Sequence, residues 1–440
     1  MSDLVTLSLA QASHSIHTLA LSPVTYVEAL LEHIGSIEPS LQAWVQLDAQ
    51  SALNQAHQLE KELHEGISRG SLHGIPVAIK DLFDVAGMET LAGSEIISGN
   101  IAQVDSTAVA RLRQKGAIIM GKTAMTVFAA MDPCGTVNPW NHAHTPGGSS
   151  SGSAAAVASR MCPAALGTQT AGSVLRPAAY CGISGLKPTF DAVSRRGLFP
   201  CAWSMDHVGV MACSAEDVAL VFDAVAELPL PPSRPAFVLG VPDRYFFDEL
   251  APDVMTAFAA AIETLREAGV EVREVVLPAT FERGTDAGVV TMYAEMAALH
   301  RDRFTAQASA YPFRIRTLIE EGLRISAADY LRAQQVRRLC ADDLTRTFAE
   351  VDCLVTPATP APAPAGLSAT GDWRFNLPFS ASGHPAISVP CGFSADGLPI
   401  GLQIAAGYRR ERRLFDLAGV FQAHTDWHRR RPESIQETLP

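Results

Sequence analysis

Apolar positions recur along this chain at two different spacings, and the spacing switches from one segment to the next. Val27, Leu30, Leu31 and Ile34 fall on one face of a helix, and Ser22-Pro23 ahead of them reads as an N-cap followed by proline at the first helical position. A second helical stretch runs through Lys61. In "GIPVAIKD" the period drops to two, with Ile75, Val77 and Ile79 on one side and Pro76, Ala78 and Lys80 on the other, as in a strand. From Thr107 a helix runs to Lys115, Gly116 caps it, and "AIIMG" reads as a buried strand. Strand, helix, strand in this order predicts a βαβ unit in a sheet covered by helices.

The proline-rich "LPLPPSRP" (Leu228 to Pro235) reads as a linker or long surface loop. After it, Phe237 to Val241 is a predicted strand, and a helix from Pro252 buries Val254, Phe258, Ile262 and Leu265 before Gly269 stops it. Strand "VEVREVVL", a helical region over roughly 285–350, strand "DCLVT" and a proline-alanine loop at 357–366 follow. "AISVPCGFSADGLPIGLQIAA" reads as a hairpin turning at Asp396-Gly397. No internal repeat is visible. The expected organisation is a single unit: N-terminal helices over 1–70, a core over 71–227, the proline-rich loop at 228–236, and the rest of the sheet with its helices over 237–440.

Of the 440 residues 48% are hydrophobic, enough for a large core. The formal charge of −12 argues against a nucleic-acid partner, which needs a basic footprint. Arg409-Arg410-Glu411-Arg412-Arg413 and Arg429-Arg430-Arg431 read as solvated helix faces. The first residues have no basic flank ahead of an apolar stretch, so no secretory signal is expected, and no window is apolar enough to span a bilayer. Eight cysteines without C-x-x-C spacing fit free, buried thiols in a reducing cytoplasm better than disulfides or a metal site.

Two motif matches fail on context. "GAIIMGKT" (Gly116 to Thr123) fits the phosphate-loop pattern, but a helix precedes its first glycine and its middle residues form the strand themselves. "GSSSG" (Gly148 to Gly152) fits the nucleophile elbow with Ser150 at its centre, yet "NPWNHAHTP" before it is loop. His207, His384 and His424 are candidates for its base, and nothing singles one out.

Three segments in order carry a different constellation: "GIPVAIKD", the glycine-serine run "TPGGSSSGSAAAVASRM", and "ALGTQTAGSVLRPAAYCGISGLKPT". With "SMDHVGVMACSAEDVA" and "GHPAISVPCGFSADGLPIGLQI", this series resembles the amidase signature family over most of the chain. Within the family, the serine run, "LGTQT" and "LSATGDWRFN" look most like malonamidases. The resemblance implies an α/β/α sandwich with a large mixed sheet covered by helices on both sides, and no cofactor or metal. It implies Ser173 as nucleophile, Ser149 as bridging serine after a cis Gly148–Ser149 peptide, and Lys80 as base. The backbone N–H groups of Thr170, Ala171, Gly172 and Ser173 are the implied oxyanion hole.

The chemistry accounts for the residue types. A serine hydroxyl attacks an amide only if its proton leaves as it attacks, and a lysine can take that proton only when neutral. With a free pKa of about 10.4, that requires a dry pocket. Ser150, Ser151 and Ser153 are expected to bond nearby N–H groups and start a helix whose alanines allow close packing. Ala171 and Gln169 depart from a glycine and an aspartate common in the family. Arg176 is read either as a clamp for a substrate carboxylate, as the malonamidase resemblance implies, or as one half of a buried pair with an aspartate. Ser150, Thr168 and Gln169 are further substrate-side candidates, while Asp206 and His207 are expected to organise the core.

The leading reading is a stand-alone cytoplasmic amidase acting on a small-molecule amide, with no nucleic-acid or membrane partner and with a homodimer as the implied assembly. The alternatives are a glutamine-hydrolysing subunit of a tRNA-dependent amidotransferase, a urea or carbamate (allophanate-like) hydrolase, and a silent scaffold on the same fold. Against the amidotransferase reading stand Ala124 and Val127, where such subunits tend to carry asparagine and an acidic residue, and a rather short chain.

Overall fold

The computed structural model describes residues 4–233 and 236–432. Eleven strands form one sheet: β1 Trp44–Leu47, β2 Pro76–Lys80, β3 Ile118–Thr123, β4 Ala164–Gln169, β5 Ser184–Lys187, β6 His207–Ala212, β7 Val238–Pro242, β8 Glu271–Val275, β9 Cys353–Pro357, β10 Ala386–Phe393 and β11 Pro399–Ala406. Their order is β1-β3-β2-β4-β6-β5-β10-β11-β9-β7-β8. β3, β2 and β4 are parallel neighbours, as are β9, β7 and β8, while the strands between the two groups run antiparallel. This is the mixed, helix-covered sheet that the family resemblance implies.

Period-two alternation sorts the strand residues onto the two faces. Val77, Ile79, Ile119 and Leu166 pack into a core with helices Thr107–Gln114, Ala215–Val225, Pro252–Glu267 and Glu411–Ala423. Ala78, Ile118, Met120 and Ala165 pack with helices Pro23–Leu41, Ala49–His64 and Ser151–Ala158. A register shift in the β2–β3 ladder breaks the alternation in β3: Val77 faces Ile119, but Ala78 faces Gly121 and Ile79 faces Lys122. One extra residue in a strand turns every later side chain to the opposite face. The shift thus aligns Lys122 with Ile79, and Thr123 with Lys80. Gly121 takes φ +153, and a Cβ there would lie 2.1 Å from the Gln46 carbonyl oxygen.

Most sequence expectations hold. Ser22 caps its helix by accepting from the Val24 and Thr25 N–H groups. β2, helix Thr107–Gln114 and β3 form the βαβ unit, and β10–β11 is a hairpin with Gly397 at φ 75°. The helical region resolves into Phe281–Gln307, Phe313–Gly322 and Ala327–Glu350. The proline-rich loop carries no helix or strand over 228–233, and its Arg234 and Pro235 lie outside the described residues. Cys134 is half-buried and the other seven cysteines are buried, all free. No described helix is long and apolar enough to cross a membrane.

Several elements are additional, among them β4, β5, β6 and two near the N-terminus. Helix Leu9–His17 opens on a capping box in which Ser8 and Gln11 exchange side-chain to backbone bonds. β1 is a four-residue edge strand paired to β3. The basic run that leads into helix Glu411–Ala423 is only partly solvated: Arg409 and Arg410 are exposed, but Arg413 is buried, 2.8 Å from Asp352 and stacked over Phe237, and Glu411 accepts the Thr189 N–H.

Candidate active site

The serine run sits where the sheet, helix Ser151–Ala158 and the turn after β4 converge. That helix is buried on every side, so each of its polar groups needs a partner inside the protein. The expectation that the hydroxyls start the helix by bonding local N–H groups fails, since no side chain caps it. Instead Ser153 Oγ donates to the Leu166 carbonyl, Ser150 Oγ to the Thr168 carbonyl, and Ser151 Oγ to the Gly147 carbonyl. Two of the three hydroxyls thus tie the helix to β4. Gly152 admits the close approach: a Cβ there would fall 2.2 Å from the Ala43 carbonyl oxygen. The Gly148–Ser149 peptide is cis. Gly147 holds φ +84, and a Cβ on it would strike Pro177 at 2.9 Å.

Lys80 ends β2 with its side chain on the helix Ser151–Ala158 face, fully buried. Its Nζ lies 2.8 Å from Ser149 Oγ, 2.9 Å from Thr168 Oγ1 and 3.5 Å from the Thr168 carbonyl oxygen. Among the described residues, no carboxylate comes within ion-pair distance of it. Desolvation therefore dominates, and burial pushes the Lys80 amine down to about 7.

Ser173 lies on the turn between β4 and helix Leu175–Cys181. Its carbonyl accepts from Ser150 N at 3.3 Å, which brings this turn against the peptide next to Ser149. Every carbonyl from Ala171 to Ser173 has a protein donor, the other two being Ser380 Oγ for Ala171 and Arg176 N for Gly172. Among the described residues, the N–H groups of Ala171, Gly172 and Ser173 donate to no protein acceptor. A turn with its acceptors occupied and its donors free is a ready site for developing negative charge. The turn is fixed from behind: Gln169 Oε1 accepts both the Val174 and Leu175 N–H groups, and Thr170 Oγ1 donates to Asp206 at 2.6 Å. Asp206 in turn accepts from the Cys201 and Ala202 N–H groups.

The chain matches the Amidase family model over residues 25–415. The chain belongs to the amidase signature family. This amidase is 34% identical to a glutamyl-tRNA(Gln) amidotransferase subunit from Geotalea daltonii, over 98% of this chain and 99% of that protein. The like-named subunit from Roseiflexus castenholzii is 36% identical over 98% of the chain and 99% of the relative. Among solved structures, the peptide amidase from Stenotrophomonas maltophilia superposes with a TM-score of 0.82 at 28% identity, over 95% of this chain and 96% of the other. The protein is an enzyme acting on amide C–N bonds.

These relatives correct several expectations. They are amidotransferase subunits by name, so the malonamidase likeness is not specific. The alignments cover nearly all of both chains, although at 487 and 485 positions they exceed the 440 residues of this one. They also overturn the expectation of a small-molecule amide as the sole partner with no nucleic acid, since tRNA and a multi-subunit assembly stand in their names. The net charge misled because it measures the field of one chain, and in an assembly another protein can neutralise the phosphates.

The four substrate-side candidates are placed in the frame of the site. Arg176 is buried and pairs with no aspartate: it donates to the Gly371 carbonyl at 2.7 Å and the Gly148 carbonyl at 2.6 Å, bracing the cis peptide. Gln169 accepts two backbone N–H groups and donates to Ser380 Oγ, Ser150 Oγ bonds the Thr168 backbone, and Thr168 Oγ1 accepts from the Lys80 amine. A cavity of 30 Å³ opens on Ala171, Gly172, Ser173 and Arg176, closed by Met131, Met292 and Trp373. Cys201 also lines a second cavity of 220 Å³, with Thr168, Phe199, Trp203 and His207. His207 is buried, with Nδ1 3.1 Å from the Gln169 carbonyl oxygen, as a core residue would be. Sequence reasoning missed Ser380 and the apolar closure by Met131, Met292 and Trp373. Their positions are spread along the chain with no shared motif.

Proposed function

We propose that this amidase cleaves its substrate through an acyl-enzyme on Ser173, as the amide-hydrolysing subunit of a glutamyl-tRNA(Gln) amidotransferase-type assembly with glutamine as amide donor. The observation that carries the chemistry is Lys80, buried without a counter-ion and 2.8 Å from Ser149 Oγ. As a neutral amine it accepts the Ser149 proton while Ser149 accepts that of Ser173. The Ser173 oxygen bonds to the carbonyl carbon, and the negative charge formed on the carbonyl oxygen meets the free N–H groups of Ala171, Gly172 and Ser173, with Thr170 beside them. Collapse breaks the C–N bond, and the proton held on Lys80 returns through Ser149 to the departing nitrogen as ammonia. Water then attacks the ester by the same route, leaving a carboxylic acid and free Ser173. The assembly reading is supported by full-length similarity to subunits of that name.

Ser173→Ala is expected to cut ammonia release from glutamine by about 10⁴-fold or more, with folding intact by circular dichroism. Retention of parental activity would refute the Ser173 chemistry. Separately, the purified chain is expected to retain partner subunits in a co-purification and to support transamidation of glutamyl-tRNA with them. Full turnover of simple amides by the lone chain, with no gain from glutamine or tRNA, would end the assembly reading and leave the Ser173 chemistry standing.

A further inference from the structure

Away from the active site, a cavity of 780 Å³ is lined by Arg160, Cys213, Glu216, Asp217, His428 and Arg431, among others. Arg160 follows helix Ser151–Ala158 in the left-handed region at φ 58°. A left-handed residue just past a helix end is usually glycine or asparagine, since other side chains cost about 1 kcal/mol there. An arginine is retained here, and it is only 7% exposed. Nη1 reaches the Cys213 thiol, and Nε is buried without a partner. Arg431 Nε and His428 Nδ1 are also buried and unpartnered. Among the described residues, no carboxylate lies within ion-pair distance of Arg160, Arg429 or Arg431. Asp217, on the same wall, accepts the Ala10 N–H at 3.0 Å through Oδ1 and so holds helix Leu9–His17; its Oδ2 is buried without a partner, and burial pushes this carboxyl up, toward its neutral form. Burial and the Arg160 charge together hold Arg431 below its usual value, and Arg429 and Arg160 add to the effect of burial on His428. The cations around this cavity therefore repel one another, and no ion pair among the described residues offsets Arg160 or Arg431.

We infer that Arg160 and Arg431 form an anion site for a phosphate group, distinct from the Ser173 centre and independent of the amide chemistry assigned to it. Planar guanidinium groups match the oxygens of phosphate, and an oxyanion between them would satisfy donors that the fold leaves open. The phosphate can be free or part of a nucleic-acid backbone, and the test separates the two.

The full chain is titrated with inorganic phosphate at constant ionic strength, chloride being the balancing anion, while melting temperature and ³¹P line width are followed. Saturable stabilisation and broadening are expected. Arg431→Gln, a change at a half-exposed position that leaves the core intact, is expected to weaken binding about tenfold or more, as is Arg160→Gln. Ser173→Ala is expected to bind phosphate like the parent. A short oligouridylate forms the second arm: competition with phosphate marks the site as one for backbone phosphates, and phosphate binding without competition marks it as one for a small free anion. Equal response to phosphate and chloride, or an Arg431→Gln titration that matches the parent, would overturn the site.

Discussion

Lys80 and Lys122 lie at the ends of neighbouring parallel strands, the last and the next-to-last residue respectively, one ladder step apart and both fully buried, yet they meet opposite surroundings. Lys122 Nζ sits 3.1 Å from Asp81 Oδ1 and donates to the Glu89 carbonyl at 3.1 Å. Burial opposes charge on both partners, pushing the amine down and the carboxyl up, and each restores part of the other's charge. Lys80 precedes Asp81 in the chain, but that carboxylate is turned to Lys122 and also accepts from the Leu91 and Gly93 N–H groups. Lys80 is left with two hydroxyls and a carbonyl. Burial alone therefore does not make a base. A carboxylate within reach supports the charge of a buried amine, while among neutral oxygens burial acts unopposed and favours the neutral form.

The largest contrast is expected between Lys80→Met and Lys122→Met. The first should lower kcat by about 10³- to 10⁴-fold with the smaller change in melting temperature, because a general base is lost and only hydroxyls, not a buried charge, lose their partner. The second should leave kcat per folded molecule near the parent and destabilise by about 3–5 kcal/mol in urea, because it strands a buried carboxylate. Similar losses of kcat in both would break the distinction. Next comes pH. Since Lys80 must be neutral to act and is held at about 7, kcat/KM should rise with pH through about 7 and level off above it. Asp81→Asn should weaken the fold yet keep that limb in place. A limb displaced by a full unit would tie Lys80 to the other pair. Smallest is Ser153→Ala, which removes the bonds of this hydroxyl to the Leu166 carbonyl and to Thr123 Oγ1 and should cost about 1–2 kcal/mol of stability with kcat retained.

Much of this was legible in the residues because burial on both sheet faces leaves a period-two trace, and because Ser22-Pro23 and Asp396-Gly397 announce their turns locally. β1 was not, since four half-exposed residues become a strand only through pairing with β3. Helix Leu9–His17 carried a readable signal in Ser8-x-x-Gln11, the spacing of a capping box. Lys80, Ser149 and Ser173 were picked out by resemblance and lie on elements that converge. The partners of Arg176 were not legible: its acceptors are carbonyls at Gly148 and Gly371, which any sequence would supply. Arg413 looked solvated because a run of arginines says nothing about Asp352, distant in sequence and close in space.

The extra residue in β3 acts as a partition between two kinds of proton chemistry. Pair β3 with β2 without the shift, and Met120 would face Ala78, Gly121 would face Ile79 and Lys122 would face Lys80, carrying the Lys122 ammonium toward the serines and away from its carboxylate. The reaction chamber would then hold two amines competing for one hydroxyl, and the opposite face would hold an orphaned acid. A shift of one residue thus keeps the proton acceptor and the structural cation apart.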